Sequence, residues 1–235
     1  MLSADILFDL KIFSHAPLFS ADRPVWSALQ DLKKYMNEFS YPADLFNCLA
    51  DGVAASEHLV VYGGELIDGG QCHIEYGDTL RGELVISRAG KVLEGASLIM
   101  AGAVFQGHRI AIGEGILVEG GATIKSPTII GHRTEVRQGA YLRGYCLIGD
   151  RCVVGHTTEV KHSVFLDDAK AGHFAYLGDS IIGNNANLGA GTKCANLRFI
   201  PGNVQVSYEG KLFNTGMRKF GAILGDRAQT GCNSV

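Results

Sequence analysis

The chain has 235 residues, a formal net charge of −3 and only 19% charged residues. This charge gives no general attraction to nucleic acid or anionic membranes, and we expect neither as a partner. No apolar run approaches the roughly 18 residues of a membrane span, and Asp5, Asp9 and Lys11 interrupt any signal-peptide apolar region.

Residues 1–55 are predicted to form a small helical region. Val25, Leu29, Leu32 and Met36 repeat on one helical face, with Pro24 in the first turn and Asp22 as the cap. A second, shorter helix is predicted from about Pro42 to just before Gly52. An apolar helical stripe needs a surface to cover, so we expect these helices to lie on one face or at the open end of the rest of the chain.

Residues 56–235 follow a six-residue repeat. Such a period fits neither a helix nor an ordinary strand, and ordinary β-sandwich strands need turn signals every 8–12 residues or so. Internal repeats outweigh local propensity as evidence for a fold. The first run is Ile74, Leu80, Ile86, Val92, Leu98, Val104 and Ile110. After a slip of two residues, the second run is Ile112, Val118, Ile124, Ile130, Val136, Leu142, Ile148, Val154, Val160 and Leu166, and the spacing resumes at Ile182, Leu188 and Cys194.

A six-residue repeat predicts a short strand followed by a tight corner. Three such units make one triangular coil, with each aliphatic residue pointing inward and small residues or glycine at the corners. Strands stacked in this way hydrogen-bond between coils and share a continuous core. The sequence therefore predicts a mainly β fold, a parallel β-helix of hexapeptide repeats. The six widely spaced cysteines include no CxxC pair and predict free thiols in a cytoplasmic protein.

The repeat is interrupted at "AGHFAYLGD", residues 171–179. Leu166 and Ile182 are 16 residues apart, two short of a full coil, and an inward aliphatic residue near Gly172 is missing from the count. His173 and Tyr176 occupy this segment instead. A fold built by repetition adds function most readily where it departs from the repeat, so we predict a functional site here.

The segment from Thr158 to Arg198 resembles the acetyltransferase domain of the bifunctional glucosamine-1-phosphate acetyltransferase / N-acetylglucosamine-1-phosphate uridyltransferase. The motifs are "EVK", "AGH", "YLGD", "NANLGAGT" and "CANLR". The form "GAGTKCANLR" followed by "NTGMRKFGAILGD" resembles the archaeal sugar-1-phosphate nucleotidyltransferase/acetyltransferases more than the bacterial enzyme. The resemblance covers roughly residues 112–233. It implies a left-handed β-helix, a homotrimer with sites between subunits, and acetyl transfer from acetyl-CoA to an amino-sugar phosphate.

The resemblance also implies a role for eight residues. His173 would be the general base that accepts a proton from the attacking amine, and Asn196 would hold the substrate near the acetyl group. The sugar phosphate would contact Arg143, Lys161, Tyr176 and Asn187, and CoA would contact Ala190 and Lys211. Arg143 lies one full coil before Lys161, which suits two cations on one phosphate. No metal is expected in this site.

Three departures from the family pattern affect these expectations. Leu197 follows Asn196 where the bacterial enzyme has a tyrosine, and the lysine of the next loop is absent, so Arg198 or Lys211 would have to substitute. The sequence ends at Val235, before further coils that hold CoA in the family. No glycine precedes Gly52, so the phosphate-binding loop of a nucleotidyltransferase is not expected. Cys232 receives no catalytic role.

Two other functions fit a β-helix. A γ-class carbonic anhydrase needs three histidines converging on zinc, whereas His108, His132 and His156 are spaced by 24 residues and would lie on different sides of the prism. A trimeric scaffold or sugar-nucleotide-binding protein that lacks turnover is the second alternative. The predicted nucleotide-sugar biosynthetic enzyme differs from both in needing His173 as a base.

Overall fold

The computed structural model describes residues 1–42 and 49–235. Before the coils, this part of the chain forms short helices and antiparallel strands. The helices are α1 (Ala4–Leu7) and α2 (Ser27–Glu38), with 3-10 turns at Ala16–Leu18, Gly69–Gln71 and Thr79–Arg81. The strands are β1 (Leu59–Tyr62), β2 (Glu65–Asp68), β3 (His73–Glu75), β4 (Val85–Arg88) and β5 (Lys91–Val92). No helix in the described ranges is long and apolar enough to cross a bilayer.

The rest of the chain is a parallel β-solenoid with three faces, so the predicted fold class is confirmed. Sheet 1 contains β6 (Ser97–Ile99), β9 (Leu117–Val118), β12 (Glu135–Val136), β15 (Val153–His156), β18 (Lys170–His173) and β21 (Asn187–Leu188), and β1 and β2 extend its first edge antiparallel. Sheet 2 contains β7 (Val104–Gln106), β10 (Thr123–Lys125), β13 (Tyr141–Leu142), β16 (Glu159–Lys161), β19 (Tyr176–Gly178) and β22 (Lys193–Cys194). Sheet 3 contains β8 (Ile110–Ile112), β11 (Thr128–Ile130), β14 (Cys146–Ile148), β17 (Ser163–Phe165), β20 (Ile181–Ile182) and β25 (Ile223–Leu224).

The core runs through the middle of the solenoid, as the second hexad run predicted. On each face, one residue per strand points inward and stacks on its counterpart one coil away, which removes apolar surface from water continuously along the axis. The confirmed inward positions are Ile112, Val118, Ile124, Ile130, Val136, Leu142, Ile148, Val154 and Val160, and beyond the interruption Ile182, Leu188 and Cys194.

The predicted inward position of Leu166 is wrong. Phe165 fills it, in register with Ile148 below and Ile182 above. Leu166 faces outward and packs in the cluster beneath the N-terminal helices. The hexad count missed this shift because both residues are apolar and a corner there is one residue shorter than in the earlier coils.

The predicted loss of an inward residue near Gly172 is also wrong. Ala171 is buried in the core and pairs in register with Val154 and Leu188, and Leu177 is the next inward residue. Each of two successive coils is one residue shorter than the coils before them. The inward residues nevertheless stack on each other throughout the segment. The shortening lies at the corners, where side chains leave the wall.

The first four members of the first hexad run do not belong to the solenoid, whereas Leu98, Val104 and Ile110 lie on its strands β6, β7 and β8. Ile74, Ile86 and Val92 lie on the antiparallel strands β3, β4 and β5. The inward residues of the first coil are Ile99 and Phe105, each one position after its predicted residue. Leu98 faces outward and packs with Val60 and Ile86.

The N-terminal helices cover one face of the solenoid, as predicted. Leu29, Leu32 and Met36 of α2 are fully buried. They share a cluster with the outward residues of sheet 3, which include Ala111, Ile129, Leu147, Val164 and Ile181. The predicted cap at Asp22 is wrong, because α2 begins at Ser27 with Trp26 at its N-cap and without a side-chain cap bond. The second helix predicted from Pro42 falls largely outside the described residues.

An insertion separates β22 from β25 and joins the last coil to α2. It contains a hairpin of β23 (Gln205–Tyr208) and β24 (Lys211–Asn214). The Phe213 ring lies 6.2 Å from the Trp26 ring, centroid to centroid. The Gln30 side-chain amide also donates a 2.8 Å hydrogen bond to the backbone oxygen of Thr215. The hairpin therefore packs on the helical side of the molecule.

Candidate functional site

The predicted site lies at the corner between sheets 1 and 2. His173 ends β18 and Tyr176 begins β19, so both side chains project outward from the wall. Phe174 between them has the left-handed φ of 53°, and Ala175 is buried beneath the corner. The chain turns here within a few residues because the small Ala171 and Ala175 occupy the interior. The corner therefore presents an imidazole on one side and a phenol on the other.

His173 opens into a groove of about 610 Å³ on the sheet 1 side. Its ring is exposed, lies 6.3 Å from the ring of Phe174 and accepts or donates no hydrogen bond within the described chain. A histidine that is neither buried nor bonded is free to meet a substrate. The groove is also lined by Lys170, Gly172, Asn187, Leu188, Gly189, Ala190 and Cys232, by Glu135, Arg137 and Val153 from earlier coils on the sheet 1 side, and by Asp78 and Leu80.

The groove contains both fixed and free charges. Arg137 donates a hydrogen bond from Nε to a carboxylate oxygen of Glu135 at 2.8 Å, and the Nη2 atom of Arg137 lies 2.7 Å from the same oxygen. Lys170 is exposed on the same wall as His173. The Arg137–Glu135 pair is neutral overall, so Lys170 is the cation on this wall that remains available to an anionic ligand.

On the sheet 2 side, four polar side chains form one hydrogen-bonded row. The Tyr176 hydroxyl donates to the Asn196 amide oxygen at 3.2 Å. The Asn196 amide nitrogen donates to one oxygen of Asp179, and the other oxygen of Asp179 lies 2.7 Å from His162 Nδ1. The row runs from the protein interior, where His162 and Asp179 are buried, to the half-buried Tyr176.

Asp179 carries the negative charge of this row. Burial by itself raises the pKa of a carboxyl group, but hydrogen bonds from His162 and Asn196 and the charges of His162 and Lys161 outweigh it, so the pKa of Asp179 lies below its usual range. The Lys161 ammonium lies 3.5 Å from the carboxylate. Burial likewise raises the pKa of Tyr176, assisted by the charge of Glu159, which keeps its hydroxyl protonated as a donor.

The two predicted phosphate cations are neighbours. Arg143 follows β13 and Lys161 ends β16, strands that pair in register, so both side chains leave sheet 2 one coil apart. Arg143 donates a 2.6 Å hydrogen bond to Glu159 and its guanidinium lies 5.9 Å from the ring centre of Tyr141. Each cation already has an acidic partner, Glu159 or Asp179, which fixes its position without burying it.

The structure divides seven of the eight predicted residues into two groups. His173, Asn187 and Ala190 line the groove, whereas Tyr176, Asn196, Lys161 and Arg143 lie on sheet 2. The two predicted catalytic residues, His173 and Asn196, therefore lie on opposite sides of one corner. The eighth residue, Lys211, is exposed on the hairpin that packs against α2 and does not line the groove.

Sequence reasoning missed Asp179 and His162. Asp179 is the last residue of the motif "YLGD", and His162 belongs to none of the motifs. Each is separated by 17 residues from its hydrogen-bond partner, His162 from Asp179 and Asp179 from Asn196. That interval is the coil length in this part of the solenoid, so only a search at 17-residue spacing, one shorter than three hexads, connects His162, Asp179 and Asn196.

Three histidines considered for a zinc site do not come together. His132 Nδ1 accepts from the backbone of Glu114 at 3.0 Å, and His156 Nδ1 lies 2.9 Å from the backbone oxygen of Gln138. Across residues 1–42 and 49–235, no group of three His, Cys, Asp or Glu side chains is close enough to hold a metal ion.

Fold and site together define a parallel β-solenoid with an outward histidine at one corner and a row of tyrosine, asparagine and aspartate along the adjoining sheet 2. Comparison with known proteins gives the particular resemblance. Residues 124–216 match the family described as the GMPPB C-terminal domain. A bifunctional sugar-1-phosphate nucleotidylyltransferase/acetyltransferase of Sulfurisphaera tokodaii is 45% identical over 71 residues, which are 30% of this chain and 18% of that protein.

Two proteins named bifunctional protein GlmU are similar as well. The protein of Methanococcus maripaludis strain C7 is 48% identical over 69 residues, 29% of this chain and 16% of its own length. The protein of Bacillus cytotoxicus is 38% identical over 72 residues, 31% of this chain and 12% of its own length. The predicted resemblance is thus confirmed, and the matched stretch spans less than a fifth of each of these relatives.

Proposed function

We propose that the protein is an acetyl-CoA-dependent N-acetyltransferase that acts on an amino-sugar 1-phosphate such as glucosamine-1-phosphate. The observation that carries the proposal is the position of His173, exposed at a corner of the solenoid and open to the 610 Å³ groove that Asn187 and Ala190 also line. The name of the Sulfurisphaera tokodaii relative, which includes a sugar-1-phosphate and an acetyltransferase activity, supports the same reaction.

The reaction needs a base near the amine. In the proposed step, the amino nitrogen attacks the thioester carbonyl carbon while His173 accepts the proton that the nitrogen loses. The oxyanion intermediate collapses, the carbon–sulfur bond breaks, and the sulfur leaves as a thiolate that takes up a proton. The products are the N-acetylated sugar phosphate and CoA. General-base assistance of this kind contributes about 10²–10⁴ in rate.

Binding of the sugar phosphate is assigned to the sheet 2 side. Lys161 and Arg143 are adjacent cations on one face, and such a pair suits a dianionic phosphate. Tyr176 and Asn196 present hydroxyl and amide groups beside them. Asn187, whose side chain makes no hydrogen bond within the described chain, is available to a sugar hydroxyl.

CoA is assigned to the groove on the sheet 1 side. Ala190 and the adjacent Gly189 carry no bulky side chain, so a pantetheine arm can approach the backbone there. Lys170 supplies a cation for a phosphate of CoA on the same wall. The expected contact of Lys211 requires a second copy of the chain, because Lys211 does not line the groove of its own chain.

The proposal includes a homotrimer with each site between two subunits. Its support is the separation of His173 and Asn196 on two sides of one corner. A neighbouring copy packed along this corner would bring the sheet 2 row of one chain beside the groove of the next. The site would then be complete only in the assembly.

A thiol-release assay tests the proposal. The protein is incubated with acetyl-CoA and either glucosamine-1-phosphate, another amino-sugar phosphate, or glucosamine without phosphate. We expect release of CoA with a phosphorylated amino sugar and a large increase in KM, or no reaction, without the phosphate. The same comparison with Lys161→Gln should remove most of this preference. If no acceptor leads to release of CoA, the result would contradict the proposed enzymatic activity and favour a non-catalytic sugar-nucleotide-binding or scaffold protein.

A further inference from the structure

We propose that Asp179 is a positioning residue, which fixes the amide orientation of Asn196 and through it the hydroxyl of Tyr176. The proposal rests on the proposed function, because it assigns Asn196 and Tyr176 to the substrate. Asp179 is 5% exposed and touches no part of the groove, so it acts only through the side chains that it holds.

His162, Asp179 and Asn196 form a ladder where sheet 2 turns towards sheet 3. His162, Asp179 and Asn196 follow each other at intervals of 17 residues and are 8%, 5% and 8% exposed. His162 and Asp179 both adopt left-handed backbone angles, with φ of 47° and 48°. Asp, Asn and His are the non-glycine residues that tolerate this conformation best. This corner thus stacks three buried polar side chains.

The chemistry of the ladder allows one orientation of the Asn196 amide. An ionised carboxylate only accepts hydrogen bonds, so the NH₂ group of Asn196 must face Asp179. The amide oxygen then faces Tyr176 and accepts from its hydroxyl. If the amide turned over, its oxygen would meet the carboxylate and two acceptors would oppose each other. Charge-assisted hydrogen bonds are stronger than neutral ones, so this orientation is well fixed.

The remaining partners of Asp179 keep its carboxylate in place. His162 donates from Nδ1 to one carboxylate oxygen at 2.7 Å. The other oxygen, which accepts from Asn196, also lies 3.5 Å from the Lys161 ammonium. The carboxylate is therefore held from the coil below and bonds to the coil above. Its effect on Lys161 concerns phosphate binding, whereas its effect on Asn196 concerns the orientation of the acceptor beside the thioester.

A double-mutant cycle in the full-length protein tests this. Asp179→Asn, Asn196→Ala and the double variant are assayed for kcat and KM with acetyl-CoA and glucosamine-1-phosphate. Because small misplacements of substrate-orienting groups cost up to roughly a hundredfold, we expect Asp179→Asn to lower kcat about tenfold. In the Asn196→Ala background, the same substitution should change kcat less than about twofold, as expected for coupled residues. Effects on kcat that multiply independently would overturn the proposal, as would a change confined to KM.

Asp168→Asn is the matched control. Asp168 also has a left-handed φ, 63°, and bonds to a side chain 17 residues earlier, Arg151, at the corner between sheets 3 and 1. The substitution removes the same charge from the same kind of corner. We expect it to leave kcat and KM unchanged. A drop in kcat equal to that of Asp179→Asn would show a general loss of coil packing and would overturn the positioning role.

A spectroscopic readout separates failure of this inference from failure of the proposed function. In protein labelled with ¹⁵N-asparagine, the side-chain amide signals of Asn196 are identified by their loss in Asn196→Ala. We expect protons bonded to a carboxylate to exchange slowly with water, and to exchange much faster in Asp179→Asn. If the wild-type protein transfers no acetyl group but this change is seen, the function fails and the positioning stands. Unaltered Asn196 signals would overturn the positioning whatever the activity.

Discussion

Phe165 stacks directly on Ile182 in the interior of the solenoid, one coil below it on sheet 3. Both side chains are fully buried. Phe165 is the largest side chain in the row of inward residues on this face, between Ile148 and Ile182. It fills the interior at the level where the coils become one residue shorter.

Replacing Phe165 with alanine should destabilise the fold strongly. The substitution leaves a cavity between two coils that the parallel strands cannot close, and such changes cost about 3–5 kcal/mol. Urea denaturation measures the difference. Phe199→Ala, which removes the same side chain from a position that is 99% exposed, is the control and should change stability little. Equal stability of the two variants would contradict the inward position of Phe165.

Substitution by alanine should destabilise the fold at Gly155 and leave its stability unchanged at Gly172. A Cβ at Gly155 would lie 1.8 Å from the backbone oxygen of Gly172, whereas a Cβ at Gly172 would meet nothing within 4 Å. Gly155→Ala must separate β15 from β18 beneath His173, and overpacking costs about 1–3 kcal/mol or more. Thermal unfolding should show a lower Tm for Gly155→Ala only. A Tm for Gly172→Ala as low as that of Gly155→Ala would contradict this packing.

His15 predicts a pH dependence of stability. Burial lowers its pKa, only partly opposed by the charge of Asp150, and its ring bonds to Tyr35 at 2.8 Å. The unfolded chain therefore binds a proton at higher pH than the folded chain. The contribution of His15 to the free energy of unfolding is fully present above its unfolded pKa of about 6.5. This contribution is lost as the pH drops towards the folded pKa. Urea denaturation at pH 7.5 and 5.5 should show this loss, and His15→Gln should reduce it. An unchanged pH dependence in His15→Gln would contradict the assignment.

The cysteines predict a pattern of thiol labelling. Burial raises the pKa of Cys146 to about 12 and raises that of Cys152 further, so neither forms a thiolate in the native protein. Cys232 is exposed and lines the groove with His173. A maleimide reagent should modify Cys232 readily, and Cys146 and Cys152 only after unfolding, as mass spectrometry would show.

Acetyl-CoA should slow the labelling of Cys232 if it occupies the groove. Cys72 is a half-buried thiol directly before the antiparallel strand β3, and it serves as the internal reference. Protection of Cys232 with no change at Cys72 is the expected result. Equal labelling of Cys232 with and without saturating acetyl-CoA would remove the groove from the proposed CoA site.

The hexad period was sufficient to predict the architecture because one inward residue recurs every six positions from Ile112 to Val160. It failed where the chain gives two apolar candidates in a row, as at Phe165 and Leu166, because periodicity alone does not distinguish a residue that faces the core from one that faces α2. It also assigned Ile74 and Ile86 to coils, although alternation in an antiparallel pair can produce the same spacing.

The site was predicted from motifs rather than from geometry. The placement of His173 and Tyr176 on two sides of a corner follows from the short distance between them and the buried Ala175. The bond from Asn196 to Asp179 depends on coil length, which becomes 17 only beyond Ile148 and was not available from a hexad count. Lys211 lies on the hairpin of an insertion, and this hairpin packs against α2 and does not line the groove.

The most direct test of the proposed function compares His173→Ala with His156→Ala. The two histidines lie one coil apart in the paired strands β18 and β15, and only His173 lines the groove. With acetyl-CoA and glucosamine-1-phosphate, we predict that His173→Ala lowers kcat at least about 100-fold, at unchanged Tm, while His156→Ala keeps most of the activity. Acetyl transfer by His173→Ala at the wild-type rate would contradict the account.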